Sequence, residues 1–299
     1  MAKQNPLRLF PTLIIGSGPV GMTLARCFRE QDLPLLGITS RQGKKARLLS
    51  SEYHTPVCTH YLELVPEAKL IFIAVNDQSI EAVAEKLYAS GKLQPGTFLA
   101  HLSGALSSRS LKKAEAKIHV FSLHPLQSFP AYDPKVKDLK GIPLIFEGDT
   151  HALPLAKNLA KALHGSFFEI REKDKVLYHT AASIASNFFV TLISLASSLN
   201  KKAGVPEKKA LSILFPILHH TLANVEKLGL PQALTGPVPR GDLSTIKKHL
   251  DSLKKEAPYA LNAYRALTLL TLQLAEDKGL PKDKAEAIRK VLRSTPWEK

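Results

Sequence analysis

Four polar side chains recur at four-residue intervals past the middle of the chain: Lys175, His179, Ser183 and Asn187. On an α-helix each such step overshoots a full turn by about 40°, so the four share one slowly drifting stripe. Between them run Ala181, Ala182, Ile184 and Ala185. A lysine or a histidine on that stripe can donate a proton, and a serine and an asparagine can orient hydroxyls. A polar stripe on an apolar helix is costly unless it faces a cavity, a neighbouring helix or water. A second set of polar residues stands where apolar runs end. Leu70–Val75 ends in Asn76-Asp77, residues 97–101 stop at His101-Leu102-Ser103-Gly104, and residues 118–122 stop at Leu123-His124-Pro125. Arg240 lies in Thr235-Gly236-Pro237-Val238-Pro239-Arg240-Gly241-Asp242, a turn stiffened by two glycines and two prolines. There it is either a carboxylate clamp or a surface arginine.

These residues need elements to hold them, and the clearest is Gly16-Ser17-Gly18-Pro19-Val20-Gly21. It follows the apolar run Leu13-Ile14-Ile15 and opens a helical pattern through Leu24, Ala25 and Phe28. Strand, glycine turn and helix are the context in which G-x-G-x-x-G binds a dinucleotide. The first free amides of the helix then face the pyrophosphate. Val75 and Asn76, at the end of the central strand, extend the expected cofactor site. Strand two, Leu35–Thr39, ends in Ser40-Arg41, with Lys44 and Lys45 beyond. An NAD site has a carboxylate at that point, whereas a hydroxyl and cations suit a 2′-phosphate. The expected cofactor is therefore NADP(H).

Strands alternate with helices up to about residue 171, and from Asp174 onward only helical periods remain. This predicts an α/β fold: a Rossmann-like, doubly wound, mostly parallel sheet over residues 1–172, followed by an all-helical domain over 173–299. Helices are expected at 174–201, 206–228 with a kink at Pro216, 242–256, 258–278 and 282–293. The least polar stretch, Ser183–Leu199, contains Asn187 and several serines, and reads as a buried helix rather than a membrane span. Cys27 and Cys58 give neither a disulfide framework nor metal spacing, which fits a reducing cytoplasm. The net charge is +15, but the lysines are scattered in pairs without interleaved aromatics. No nucleic-acid, membrane or metal partner is expected; anionic small molecules are.

The runs Gly16–Gly21, His101–Gly104, Ser122–Leu126, Tyr178–Asn187 and Gly236–Asp242 resemble bacterial proteins classed as oxidoreductases. These join a Rossmann-like domain to a helical domain of unknown function. The family is similar to a branch of the 6-phosphogluconate-dehydrogenase-like superfamily, with ketopantoate reductase, pyrroline-5-carboxylate reductase, β-hydroxyacid dehydrogenases and prephenate dehydrogenase as relatives. The resemblance implies a homodimer joined through the helical domain and a site in the interdomain cleft. It also implies reduction of a small 2-keto acid with NADPH, ketopantoate first, with pyrroline-5-carboxylate or a prephenate- or arogenate-type acid as alternatives; a non-catalytic NADP sensor is the rival. Ketopantoate reductases carry a lysine and two asparagines where this chain has His179, Ser183 and Asn187, so only Asn187 matches. The proton donor is then His179, His124 (whose His-Pro step resembles that of prephenate dehydrogenases) or Lys175. Ser103, Ser183 and Arg240 would hold the substrate carboxylate and hydroxyls.

Overall fold

The structure, a computed structural model, describes residues 6–39, 54–114, 116–129 and 139–294. Ser40, Arg41 and Lys44, the expected 2′-phosphate contacts, lie outside the described residues. The chain divides into two compact units, Met1–Ser186 and Asn187–Lys299. The division falls inside the leading helix, downstream of the expected boundary near 172, because the first turns of that helix pack with the sheet.

The first unit is built on an eight-stranded sheet. Its strands are β1 (Thr12–Ile15), β2 (Leu35–Thr39), β3 (Val57–Cys58), β4 (Leu70–Ile73), β5 (Phe98–His101), β6 (His119–Pro125), β7 (Pro143–Gly148) and β8 (Ser166–Glu169). Their order is β3-β2-β1-β4-β5-β6-β7-β8. The first six run parallel, and β7 turns back antiparallel to β6. β1 and β4 are buried along their whole length, as central parallel strands should be. Helices α1 (Pro19–Glu30), α2 (Asp77–Ala89) and α3 (Leu153–Ala162) follow β1, β4 and β7. Phe28 from α1, Phe72, Phe121 and Phe146 from the strands, and Leu155 and Leu159 from α3 share one core.

Two strands that the apolar patterns place at residues 7–15 and 118–122 have different limits. Residues 6–9 form a short 3-10 helix, and β1 begins only after Pro11, which has no N–H to donate. β6 continues through His124 and Pro125, because β7 supplies a partner there: His124 pairs with Ile145 and Pro125 with Leu144.

The leading helix runs as α4 (Lys175–Ser183), a π turn (Ile184–Phe188) and α5 (Phe189–Lys202). The π turn falls on the last four-residue step of the polar stripe, between Ser183 and Asn187. The expected helix 206–228 is interrupted. It consists of α6 (Glu207–Ala210), a 3-10 turn and α7 (Phe215–Leu228), with Pro216 in the first turn of α7 rather than at a kink. Then come α8 (Pro237–Arg240), α9 (Leu243–Glu256), α10 (Pro258–Asp277) and α11 (Lys282–Ser294). Ile246 and Leu250, Leu261 and Leu272, and Ile288 and Leu292 form the second unit's core, from the last three helices.

The expected burial of Ser183–Leu199 is not met. Neither α5 nor α7 contains a buried residue. Phe188, Phe189 and Val190 on one element, and Ile217 and Leu222 on the other, are exposed. By length and composition alone, the Glu172–Lys202 helix is able to cross a membrane.

Candidate active site

The glycine turn has the geometry its spacing predicts. Gly16 sits at φ +119°, and a Cβ there would lie 2.4 Å from the Ala74 carbonyl oxygen. A Cβ on Gly21 would lie 2.2 Å from the Gly16 carbonyl oxygen, so α1 packs on β1 only without one. At Gly18, the N-cap of α1, the nearest atom to such a Cβ is 3.8 Å away, which leaves the backbone open to a ligand. Met22 N–H donates to the Gly18 carbonyl at 2.9 Å, so the amides of Val20 and Gly21 precede the first intrahelical bond. Pro19 presets the entry angle. Gly16 N–H is held by the Thr39 hydroxyl at 3.3 Å. Ser17 lies between the two glycines, and Val75 and Asn76 follow β4 at the same sheet edge. An open glycine backbone with free helix-start amides fits a dinucleotide pyrophosphate.

A row of polar residues crosses the sheet near this edge. In register, Ile15 faces Ile73, Ile73 faces His101, His101 faces Ser122, and Ser122 faces Glu147. His101, Ser122 and Glu147 are all buried, and so is Lys175 from the first turn of α4. Buried polar groups need partners, and these have them. Lys175 Nζ donates to Ser122 Oγ at 2.6 Å and pairs with Glu147 Oε2 at 3.2 Å. Ser122 Oγ donates onward to the Ser103 carbonyl at 3.1 Å. Glu147 also accepts from Ser108 N–H at 2.9 Å and Ser108 Oγ at 2.7 Å. Burial works to raise the Glu147 carboxyl, but the Ser108 hydrogen bonds and the Lys175 ammonium outweigh it and hold it below its ordinary range. Burial lowers Lys175, and Glu147 opposes that shift.

The segment after β5 is fixed by the same network. Ser103 Oγ donates to Asp77 Oδ2 at 2.8 Å and accepts from the amides of Ala105 and Leu106. Ser103 N–H donates to His101 Nδ1 at 3.2 Å, so the ring proton sits on Nε2, which donates to the Ser107 carbonyl. Burial depresses His101 to about 4, which keeps it neutral.

Gly104 is the floor of the site. A Cβ there would lie 2.7 Å from His179 Nδ1 and 2.9 Å from His124 Nε2. Two imidazoles, their rings 6.1 Å apart and nearly perpendicular, therefore meet over one backbone position. His179 Nδ1 is buried and has no hydrogen-bond partner among the described residues. His124 Nδ1 is 2.7 Å from the Tyr178 hydroxyl. Burial raises Tyr178 to about 12, so the phenol stays protonated and, as a hydroxyl, is able to donate to Nδ1 or to accept from it. Burial, then the neighbouring His179 and Lys175, lower His124 to about 4. At neutral pH His124 is thus uncharged, with Nε2 directed at the Gly104 side.

The first unit accordingly brings together Ser103, His124, and Lys175 with His179 from three separate stretches, with Ser183 one turn further along α4. Asn187 and Arg240 belong to the second unit, Arg240 as the exposed last residue of α8. Sequence reading missed Tyr178, Glu147 and Gly104 as site residues. Tyr178 had a signal, since it precedes His179 on the same helix. Glu147 reads as an ordinary strand-end acid, and its role depends on a pairing 28 residues away (175 minus 147).

Sheet order and glycine turn define the class: a dinucleotide-binding oxidoreductase fold followed by a helical domain. Residues 12–97 match the family described as NADP oxidoreductase, coenzyme F420-dependent, and residues 142–271 match a domain of unknown function. The match over the first domain marks the chain as an oxidoreductase whose cofactor is NADP(H). It is similar to a Thermotoga maritima protein at 28% identity, TM-score 0.69, covering 89% of this chain and 99% of that one. A Bacteroides fragilis protein assigned as an NADP oxidoreductase shares 23% identity at TM-score 0.72, over 88% of this chain and 98% of the other. Plasmodium falciparum pyrroline carboxylate reductase with NADP bound shares the fold at 16% identity and TM-score 0.60, over 94% and 99%. No curated protein matches the sequence.

Proposed function

We propose that the protein reduces a small 2-keto acid with NADPH, ketopantoate being the first candidate. The observation that carries this reading is the convergence of His124 Nε2 and His179 Nδ1 over Gly104, beside a strand edge suited to a dinucleotide. Bound NADPH supplies the hydride. The chain's part is to place a donor against the oxygen that gains charge as the carbonyl carbon is reduced. A neutral imidazole suits that task in the tautomer in which Tyr178 donates to Nδ1 and the proton sits on Nε2. His179 Nδ1 offers a second group on the same spot, and Ser103 and Ser183 are substrate-orienting candidates. Asn187 and Arg240 remain candidates for a hydroxyl and the carboxylate. Likeness in fold to a pyrroline carboxylate reductase favours a second substrate, the cyclic imine pyrroline-5-carboxylate, at the same donors.

The test is a screen of 2-keto acids, cyclic imino acids and hydroxyacids with NADPH and NADP, followed at the nicotinamide absorbance. Turnover is expected with NADPH in preference to NADH. Replacing both His124 and His179 by glutamine is expected to lower kcat about 10²–10³-fold. Unchanged turnover in that double variant overturns the donor assignment, and tight NADPH binding without turnover across the screen favours a sensor.

We further infer a homodimer that covers α5 and α7. Helices without a buried residue gain little from folding unless another surface covers them. Because Lys175, at the head of the leading helix, is tied into the sheet's polar row, a second copy is the favoured cover over a bilayer. Light scattering is expected to give twice the 32.8 kDa chain mass. A monomer, or a protein soluble only in detergent, overturns this.

A further inference from the structure

We propose that the buried Lys175–Glu147 pair is a positioning clamp for His124 rather than a source of the transferred proton. The ammonium lies 3.2 Å from Glu147 Oε2 and 2.6 Å from Ser122 Oγ, and both side chains of the ion pair are under 5% exposed. Its hydrogen bonds thus run to β6 and β7. Through Ser122 it reaches the carbonyl of Ser103, the residue before Gly104. Through its own backbone it fixes the first turn of α4, which carries Tyr178 and His179 one turn on. The clamp therefore sets both sides of the gap in which the imidazoles meet.

The clamp also acts through charge. The groups facing His124 are His179, Tyr178 and Lys175 from α4, Asp77 from the start of α2, and His101 from β5. Lys175, in its ion pair with Glu147, places a positive charge among them and disfavours a second one on the ring. Its compensating anion, Glu147, is held in turn by Ser108. The Lys175 charge thus adds to burial and to His179 in keeping the ring neutral. This inference rests on His124 being the donor, but its primary readout does not.

The experiment is an NMR titration of His124 in the full-length protein labelled with ¹⁵N-histidine, alongside kcat/KM against pH. In the K175M/E147Q double variant the His124 midpoint is expected to rise by about one pH unit or more. The acid limb of kcat/KM is expected to rise with it, and K175R is expected to restore both. An unchanged midpoint in a folded double variant overturns the proposal. A shifted midpoint with unchanged turnover supports the clamp and overturns the reading of His124 as donor. Should the double variant fail to fold, S122A cuts the bridge to Ser103 while keeping the ion pair. It is expected to lower kcat about tenfold with the NADPH KM unchanged, and an unaltered kcat overturns the proposal.

Discussion

His124 owes its proposed chemistry to a neighbour. A solvated imidazole exchanges its proton between both nitrogens, whereas a Tyr178 hydroxyl donating across its 2.7 Å contact makes Nδ1 the acceptor and leaves the proton on Nε2. Y178F removes that donor while keeping the ring's packing. It is expected to lower kcat about five- to tenfold, as a neutral hydrogen bond of ~1 kcal/mol would. The NADPH affinity is expected to stay as it is, and the ¹⁵N shifts of His124 to report mixed tautomers; steady-state kinetics and NMR check the two halves. Residues of this kind were unevenly legible in the sequence. His124 and His179 stood out because histidines at a strand end and on a polar stripe are conspicuous by type. Gly104 did not, because its meaning is the space its missing Cβ leaves, and that space exists only once β5, β6 and α4 are assembled.

Among the elements, those specified by local backbone demands were the readable ones. The G-x-G-x-x-G turn needs a residue at φ +119° and a close strand–helix approach, and only glycine supplies either, so type and spacing alone located it. G16A is expected to destabilise the protein by roughly 2–4 kcal/mol, through left-handed strain plus the clash with the Ala74 carbonyl, and to abolish NADPH binding. Thermal denaturation and a fluorescence titration measure the two effects. The π turn was not readable. A helix chooses between i→i+4 and i→i+5 bonding by small differences that Ile184–Phe188 do not advertise in type. The extension of β6 over His124 and Pro125 was hidden for a similar reason, since the pairing comes from β7, some twenty residues later.

At the level of the whole molecule, the buried polar row makes stability depend on pH. His101 and His124 titrate at about 4 when folded, against an ordinary 6.5. Because their folded values are depressed, protons bind the unfolded chain more readily. The stabilisation is complete above about pH 6.5 and is lost as pH falls through 4. Glu147, also held low, acts in the same direction at the acid end. Denaturant unfolding at pH 7 and pH 4.5 is expected to differ by several kcal/mol, on the order of 2 for each histidine. Equal midpoints at the two pH values would contradict it. The two-part plan, α/β then all-helical, was legible from where the strand runs stop. What covers α5 and α7 was not, because apolar periodicity records that a face wants burial and is silent on which surface buries it.

The position of the break between the units bears on how the protein can be divided. A shortened chain ending at 172 would keep Glu147 on its strand but discard the cation that neutralises it. One negative charge would then be stranded in the interior, at a cost of several kcal/mol. Ending at Ser186 retains Lys175, Tyr178 and His179 with the sheet that seats them. The nucleotide-binding half should therefore be separable as an intact body only if it takes the opening turns of its neighbour's helix along.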